Sequence, residues 1–233
     1  MATKKKVGIK VPTKNEILKK YGSMIIQASD TKEPGLWLPS TFFNLNYTLG
    51  GGFPWGKVTE IAGEESSGKS LIALNAAYAC QQLGGSVIWV DAEQSWMNSW
   101  AELNGIDPNK VTVIRDTRIE YISDAVADVA IYLRSQLVNN EPILLVVDSV
   151  AAIDCSDNID SKMVDGKAEM GGRAKALYRY FRIRSELFYK LGVTQIYINQ
   201  LRTALNVGFG KDNTCLHYNT MIPFVDGTSC LLY

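Results

Sequence analysis

Residues 63–70 read Gly-Glu-Glu-Ser-Ser-Gly-Lys-Ser, which is a complete G-x-x-x-x-G-K-[ST] phosphate-binding motif. An apolar run over residues 57–62 precedes the motif, and a helical pattern over residues 71–83 follows it. A strand, a loop and a helix in this order are the setting that the motif requires. The stretch therefore predicts a loop that wraps the phosphates of a nucleotide.

The residues of this loop have distinct expected roles. Glycines at 63 and 68 allow the backbone to curl so that its N–H groups point at a phosphate, next to the positive end of the following helix. Lys69 can reach the outer phosphates, and the Ser70 hydroxyl can bind Mg²⁺. The predicted nucleotide contacts are Gly63, Glu64, Glu65, Ser66, Ser67, Gly68, Lys69 and Ser70.

The composition is that of an ordinary globular domain. The chain has 233 residues, of which 46% are hydrophobic and 21% are charged. With 24 basic and 24 acidic residues, overall charge does not predict nucleic-acid binding, so such a site would depend on local placement. Four scattered cysteines and one histidine do not favour a zinc site or a disulfide framework. We find no membrane-spanning stretch or signal peptide, and expect a cytoplasmic protein without membrane contact.

The N-terminal segment, residues 1–40, is predicted to be separate from the core. Thr13 with Glu16 fits a capping box and predicts a short helix over residues 12–22. A short strand is expected at residues 24–28. The segment could serve as an arm onto a neighbouring subunit, or it could fold back on its own domain, and the sequence leaves both open.

From residue 57 onward, strand and helix patterns alternate. Buried parallel strands are predicted at residues 58–62, 87–90, 111–114, 143–147 and 195–198. Apolar residues recur at helical spacing over residues 119–137 and 177–191. This alternation predicts an α/β fold with a doubly wound, mostly parallel sheet, whose ligands bind at the carboxyl ends of the strands.

Three polar residues lie where predicted strands end. Asp148 closes an apolar strand and is the expected partner of Ser70 in holding Mg²⁺, although it could simply cap a loop. Glu93 follows another strand, and a carboxylate there can polarise the water that attacks the γ-phosphate; a surface charge is the alternative. Gln200 ends the fifth strand and can contact the γ-phosphate.

The loop after Gln200 contains two glycines and one aromatic residue, Phe209. A flexible loop with an aromatic side chain and basic residues suits single-stranded nucleic acid, because stacking and phosphate contacts need no fixed sequence. An ordinary mobile loop is the alternative.

Taken together, these stretches resemble the RecA recombinase family over residues 41–214. The matching stretches are residues 56–70, 90–93, 146–153, 170–171 and 198–202. The resemblance implies a RecA-like phosphate-loop core that uses ATP and Mg²⁺. It also implies a DNA-dependent ATPase that forms a homo-oligomeric filament on single-stranded DNA and pairs it with homologous duplex DNA in recombination and repair.

The resemblance further implies roles for individual residues. It casts Glu93 as the base that orients water and Gln200 as the γ-phosphate sensor, acting with Lys69 in catalysis. It places two DNA loops at residues 154–172 and 201–214. The candidate DNA contacts are Met170, Gly171, Lys175, Arg202 and Phe209.

One departure from the family concerns the adenine. Trp100 stands where the family has a tyrosine and keeps a face on which the base can stack. Met97 stands where the family has an aspartate, so an acceptor is lost and base selectivity is open.

The larger departure is the C-terminal segment, residues 215–233. It resembles the opening of an intein, with Cys215, Thr220 and Asp226-Gly227 at the matching positions. In that interpretation Cys215 is a splicing nucleophile that attacks the carbonyl of the preceding residue, and a second chain completes both intein and recombinase. The C-terminal part of the core would then be missing, and the chain alone should bind ATP weakly and hydrolyse it poorly. A divergent tail with an ordinary thiol is the alternative.

Two other functions are compatible with the same core. One is a RadA-type or helicase-like motor, which would unwind duplex DNA instead of exchanging strands. The other is a non-catalytic ATP-binding module, whose nucleotide hydrolysis would not respond to DNA.

Overall fold

A computed structural model describes residues 12–22, 36–138, 140–159, 172–203, 216–218 and 228–231, and from residue 201 onward it describes the backbone alone. The chain divides into two compact units, Met1–Gly35 and Leu36–Tyr233.

The first unit contains one described helix, α1, over Lys14–Tyr21. The Thr13 side chain accepts from the Glu16 backbone N–H, and the Glu16 carboxylate accepts from the Thr13 N–H at 2.8 Å. The predicted capping box is therefore confirmed, and the helix ends at Gly22 as the pattern indicates. The strand predicted at residues 24–28 lies outside the described residues.

The second unit contains the strands, in two sheets. They are β1 (Trp37–Leu38), β2 (Phe53–Pro54), β3 (Val58–Gly63), β4 (Ser86–Asp91), β5 (Val111–Ile114), β6 (Ile143–Asp148), β7 (Val193–Thr203), β8 (Leu216–Tyr218) and β9 (Thr228–Leu231). β1 and β2 form a small antiparallel pair. The main sheet has the order β5–β4–β6–β7–β3–β9, in which every neighbouring pair is parallel, and β8 pairs antiparallel with β7.

The same unit also contains the helices that flank the sheet and its loops. They are α2 (Phe43–Thr48), α3 (Lys69–Gln82), α4 (Asn98–Leu103), α5 (Ile119–Gln136) and α6 (Gly172–Leu191). Short 3-10 turns lie at Pro108–Lys110 and Val150–Ala152. None of the described helices combines the length and the apolar character needed to cross a membrane.

Helices cover both faces of the main sheet, because its strands are apolar on both sides. On β4, Ile88 and Val90 pack into a core with α5 and α6, whereas Val87 and Trp89 pack into a second core with α3. Every residue of β6 is buried. Continuous apolar runs are typical of parallel strands that are covered on both faces. The predicted α/β, doubly wound architecture is therefore confirmed.

All five predicted strands and the three long helices of the core are confirmed, with ends that differ by a few residues. β9 was not predicted as part of this sheet. It pairs with β3 in parallel, with Thr59 opposite Thr228 and Ala62 opposite Leu231. It thus adds to the sheet a strand from the segment that the sequence assigns to an intein fragment, and that assignment stays a prediction.

Candidate nucleotide site

The phosphate loop connects β3 to α3, as the motif predicts. Gly68 precedes the helix with φ of +88°, in the left-handed region that favours glycine, and a Cβ there would meet nothing within 4 Å. No side chain caps the start of α3. The first N–H groups of the helix therefore face the loop without a side-chain acceptor, which is the arrangement that binds phosphate.

Lys69 lies inside this loop. It is a buried residue, and its ammonium donates to the Glu64 carbonyl and to the Ser67 hydroxyl, the latter at 3.5 Å between Nζ and Oγ. A buried ammonium requires acceptors, and here the loop backbone and a loop hydroxyl provide them. This position fits the predicted contact of Lys69 with the outer phosphates, which stays a prediction.

Ser70 and Asp148 form the predicted pair for Mg²⁺. Burial raises the pKa of Asp148 to about 6, and the nearby charges of Glu93 and Asp91 add to the rise. A hydrogen bond from the Ser70 side chain and the charge of Lys69 oppose this rise in the pKa. A buried carboxylate among other acids gains most from a cation, so the local charge balance fits a metal ion.

Glu93 and Gln200 come together at the carboxyl end of the sheet. Gln200 Nε2 donates to Glu93 Oε1 at 3.2 Å, and the Ser149 hydroxyl donates to the same oxygen. Glu93 and Ser149 follow β4 and β6, whereas Gln200 lies within β7, which continues to Thr203, so the prediction that Gln200 ends its strand is wrong. Because β6 lies between β4 and β7, the order of the strands still brings these three residues to one place. Glu93 is exposed, so solvent water reaches it. The two predicted residues therefore form one cluster, while their catalytic roles stay predictions.

Asp91 holds the turn that carries Glu93. Its side chain is fully buried and accepts from the backbone N–H groups of Ser95 at 2.8 Å and Trp96 at 3.2 Å. Arg115 Nε donates to the same carboxylate at 3.2 Å. A buried charge is stable only when it is paired and hydrogen-bonded, so the turn around Glu93 is fixed by this carboxylate.

Sequence reasoning missed Asp91 and Ser149 as members of the site. Asp91 lies two residues before Glu93 and Ser149 directly follows Asp148, so proximity in the sequence was the available signal. The contact of Ser149 with Glu93 and that of Asp91 with Arg115 depend on how the strands are ordered in the sheet, which those stretches do not reveal.

The other predicted site residues are described to different extents. Trp100 lies on α4 with 46% of its surface exposed, so its ring presents an accessible face. Lys175 is exposed on α6 and lines a cleft of about 430 Å³ together with Arg179. Only the backbone of Arg202 is described, opposite His217 of β8. Four predicted residues lie outside the described part of the chain: Met170, Gly171, Phe209 and Cys215.

These residues fit a nucleotide bound with Mg²⁺. Mg²⁺ in nucleotide sites takes one or two protein ligands and completes its shell with water and phosphate oxygens. Ser70 and Asp148 supply such a pair, and the loop with Lys69 supplies donors for phosphate. A glycine-bounded loop between a parallel strand and a helix, with this lysine, serine and strand-end aspartate, defines a phosphate-loop nucleotide-binding protein of the α/β class.

Comparison with known proteins narrows this class. The family model for the RecA N-terminal domain matches residues 11–224, which is most of the chain, so the chain belongs to the RecA family. It is similar to the protein RecA of Corynebacterium jeikeium (strain K411), with 36% identity over 194 residues, covering 83% of this chain and 49% of that protein. It is also similar to the protein RecA of Malacoplasma penetrans (strain HF-2), with 35% identity over 198 residues, covering 84% and 57% respectively.

A third similarity extends further along the chain. The protein RecA of Bacteroides thetaiotaomicron is 31% identical over 225 residues, covering 95% of this chain and 65% of that protein. The chain spans about half the length of the first two RecA proteins.

Proposed function

We propose that this chain is the ATP-binding core of a RecA-like recombinase. It binds single-stranded DNA as a homo-oligomeric filament, using ATP and Mg²⁺, and exchanges strands with homologous duplex DNA in recombination and repair. We place this activity in the cytoplasm. Family membership supports the general class, and the contact between Glu93 and Gln200 is the observation that carries the specific proposal.

The contact supports the proposal because it joins hydrolysis to a segment predicted to bind DNA. Glu93 is the group proposed to orient the attacking water. Gln200 is the last residue before the predicted DNA loop at 201–214. A side chain that contacts both this base and the γ-phosphate would report the nucleotide state to that loop.

The geometry supports the roles that we propose for the remaining residues. Lys69 and the first turn of α3 bind the phosphates, and Ser70 with Asp148 holds Mg²⁺. A general base contributes about 10²- to 10⁴-fold to a rate, so Glu93 should be needed for turnover and not for binding. A non-catalytic module would not depend on Glu93, which separates the two functions.

The test is single-turnover ATP hydrolysis with and without poly(dT), next to binding of a fluorescent ADP analogue. Glu93→Gln should bind the analogue like the parent chain and hydrolyse ATP about 100-fold more slowly. Gln200→Ala should reduce the stimulation by DNA more than the rate without DNA. Asp128→Asn, which alters an exposed carboxylate on α5, is the matched control. Hydrolysis that is unchanged in Glu93→Gln would contradict the proposal.

DNA binding is tested separately by fluorescence anisotropy of a labelled oligo(dT). Lys175→Ala and Phe209→Ala should each weaken binding in the presence of a non-hydrolysable ATP analogue. Loss of a phosphate contact should also reduce the salt dependence of binding, whereas loss of a stacking contact should not. Equal affinity of both variants and the parent chain would argue against DNA contacts at these positions.

We also propose that residues 215–233 begin a split intein inside the second DNA loop. The Cys215 thiol attacks the carbonyl carbon of Thr214, so a thioester forms, the peptide C–N bond breaks, and the thiol proton passes to the released amino group of Cys215. The match of the family model reaches residue 224 and so overlaps this segment. Mixing the chain with a candidate C-terminal partner should give a ligated product in mass spectrometry. Cys215→Ala should abolish it, and ligation that survives this change would refute the nucleophile.

A further inference from the structure

A buried carboxyl–amide pair joins β3 to β7 below the nucleotide site. Asn199 Nδ2 donates to Glu60 Oε1 at 2.8 Å, and both residues are buried, with Asn199 fully inaccessible and Glu60 8% exposed. In the register of the two strands Glu60 lies opposite Tyr197 and Ala62 opposite Asn199, so the pair is a diagonal cross-strand contact. Burial raises the pKa of Glu60, and the hydrogen bond from Asn199 opposes that rise.

The Asn199 side chain has a second contact, which leads to the catalytic cluster. Its Oδ1 accepts from the backbone N–H of Gln200 at 2.9 Å. β6 borders β7 only as far as Tyr197, whereas β3 borders it as far as Gln200. Gln200 lies beyond the part of β7 that pairs with β6, and its N–H bonds to a side-chain oxygen, Asn199 Oδ1. The amide of Asn199 thus fixes the backbone from which the Gln200 side chain extends.

The chain of contacts runs from Glu60 through Asn199 to Gln200 and ends at Glu93. An amide group has a donor end and an acceptor end. Because Glu60 accepts only from the donor end, it determines that Oδ1 faces the Gln200 N–H. Removal of this acceptor takes away a contact that favours this orientation of the Asn199 amide. The buried position makes the arrangement costly to lose, since unpaired buried polar groups are strongly unfavourable.

We propose that Glu60 is a positioning residue for Gln200: through Asn199 it sets the direction in which Gln200 approaches Glu93 and the γ-phosphate. This inference rests on the proposed function for the role of Gln200, and on the hydrogen bonds alone for the positioning itself. Glu60 lies on the strand that leads into the phosphate loop, so the same carboxyl ties the sensor to the strand that holds the nucleotide.

The positioning is tested without any turnover by NMR of the chain labelled with ¹⁵N-glutamine. The side-chain amide signal of Gln200 is identified by its loss in Gln200→Ala. Glu60→Met removes the acceptor at similar volume, and it should move this signal toward the position that it takes in Glu93→Ala. Glu60→Gln keeps a carbonyl acceptor and should leave the signal in place.

Thr59→Val is the matched control, because Thr59 lies on the same strand, is buried, and its hydroxyl has no hydrogen-bond partner among the described residues. It should not move the signal. If circular dichroism shows that Glu60→Met does not fold, Glu60→Asp decides: the shorter carboxylate should move the signal in the same direction. A Gln200 signal that stays in place in the folded variant would overturn the proposal.

Single-turnover hydrolysis then separates positioning from general damage. Glu60→Met should lower the rate at saturating ATP about 10-fold, as small misplacements of catalytic groups do, while the affinity for the ADP analogue stays within about 2-fold. Glu60→Gln should restore most of the rate. In a Gln200→Ala background, Glu60→Met should cause no further loss, because the two changes act on one contact. An equal loss in both backgrounds would overturn the proposal. Absence of hydrolysis in the parent chain would instead count against the proposed function and leave the NMR result to decide the positioning.

Discussion

The turn that carries Glu93 should depend on the buried carboxylate of Asp91 far more than on the arginine paired with it. Asp91 accepts two backbone N–H groups, at 2.8 and 3.2 Å, and its side chain is fully buried. Hydrogen bonds to a charged group contribute about 1.5–3 kcal/mol each. Asp91→Ala removes both and leaves the two N–H groups unpaired, so it should lower the free energy of unfolding by about 3–6 kcal/mol.

The matched variant is Arg115→Ala. The Arg115 side chain is 56% exposed, so solvent screens its ion pair with Asp91. Such pairs contribute about 1 kcal/mol or less, and Asp91 keeps its two backbone donors when the arginine is removed. Asp91→Asn should fall between the two alanine variants, because one amide end keeps an acceptor and the other faces a donor.

Urea unfolding followed by circular dichroism measures all three variants. The expected order of destabilisation is Asp91→Ala, then Asp91→Asn, then Arg115→Ala. If Arg115→Ala costs as much as Asp91→Ala, the ion pair and not the backbone anchoring holds the turn, and the reasoning is refuted. Asp91→Asn should also slow ATP hydrolysis, because the turn that carries Glu93 loses one of its anchors.

Three further results are expected. In urea unfolding, Tyr197→Phe should destabilise the chain by about 2–3 kcal/mol and Tyr180→Phe by about 1 kcal/mol. The reason is that the Tyr197 hydroxyl forms two hydrogen bonds, with Tyr180 at 2.9 Å and with Gln195 at 3.0 Å. Equal losses in the two variants would contradict this. Burial raises the pKa of Tyr180 to about 12 from 10.0, so the neutral phenol stabilises the fold fully below pH 10 and this contribution is lost as the pH rises towards 12. The free energy of unfolding should fall by about 1.4 kcal/mol per pH unit in that window, with a smaller slope in Tyr180→Phe. Ser70→Ala should raise the Mg²⁺ concentration needed for half-maximal ATP binding about 10-fold, while a normal Mg²⁺ requirement would remove Ser70 from the metal site.

The sequence was sufficient for the central strands and for the loop between β3 and α3. Strands that are buried on both faces are mostly apolar, and this leaves a nearly continuous apolar pattern, as at residues 143–147. The phosphate loop is recognisable because glycine at 68 is tied to a left-handed backbone and lysine at 69 to phosphate. The capping box of α1 could be predicted for the same reason: it is local, and its partners lie three residues apart.

Features that depend on the order of the strands could not be predicted in this way. The contact between Glu93 and Gln200 requires β6 to lie between β4 and β7, and the pairing of Glu60 with Asn199 requires β3 to lie next to β7. The local sequence pattern does not reveal which strands are neighbours in the sheet. The short elements β1, β2, α2 and α4 were also missed, because two to six residues are too few to show a periodicity.

The pairing of β9 with β3 has a consequence for any shortened form of this chain. With residues 228–231 in place, β3 is flanked on both sides. Without them, it would become an edge strand whose unpaired N–H and C=O groups lie beside the phosphate loop, and such edges recruit strands from other molecules. A peptide or a second chain that supplies the missing strand could then complete the sheet by strand complementation. In such a shortened chain, β3, which leads into the phosphate loop, is therefore also the strand at which a partner can complete the sheet.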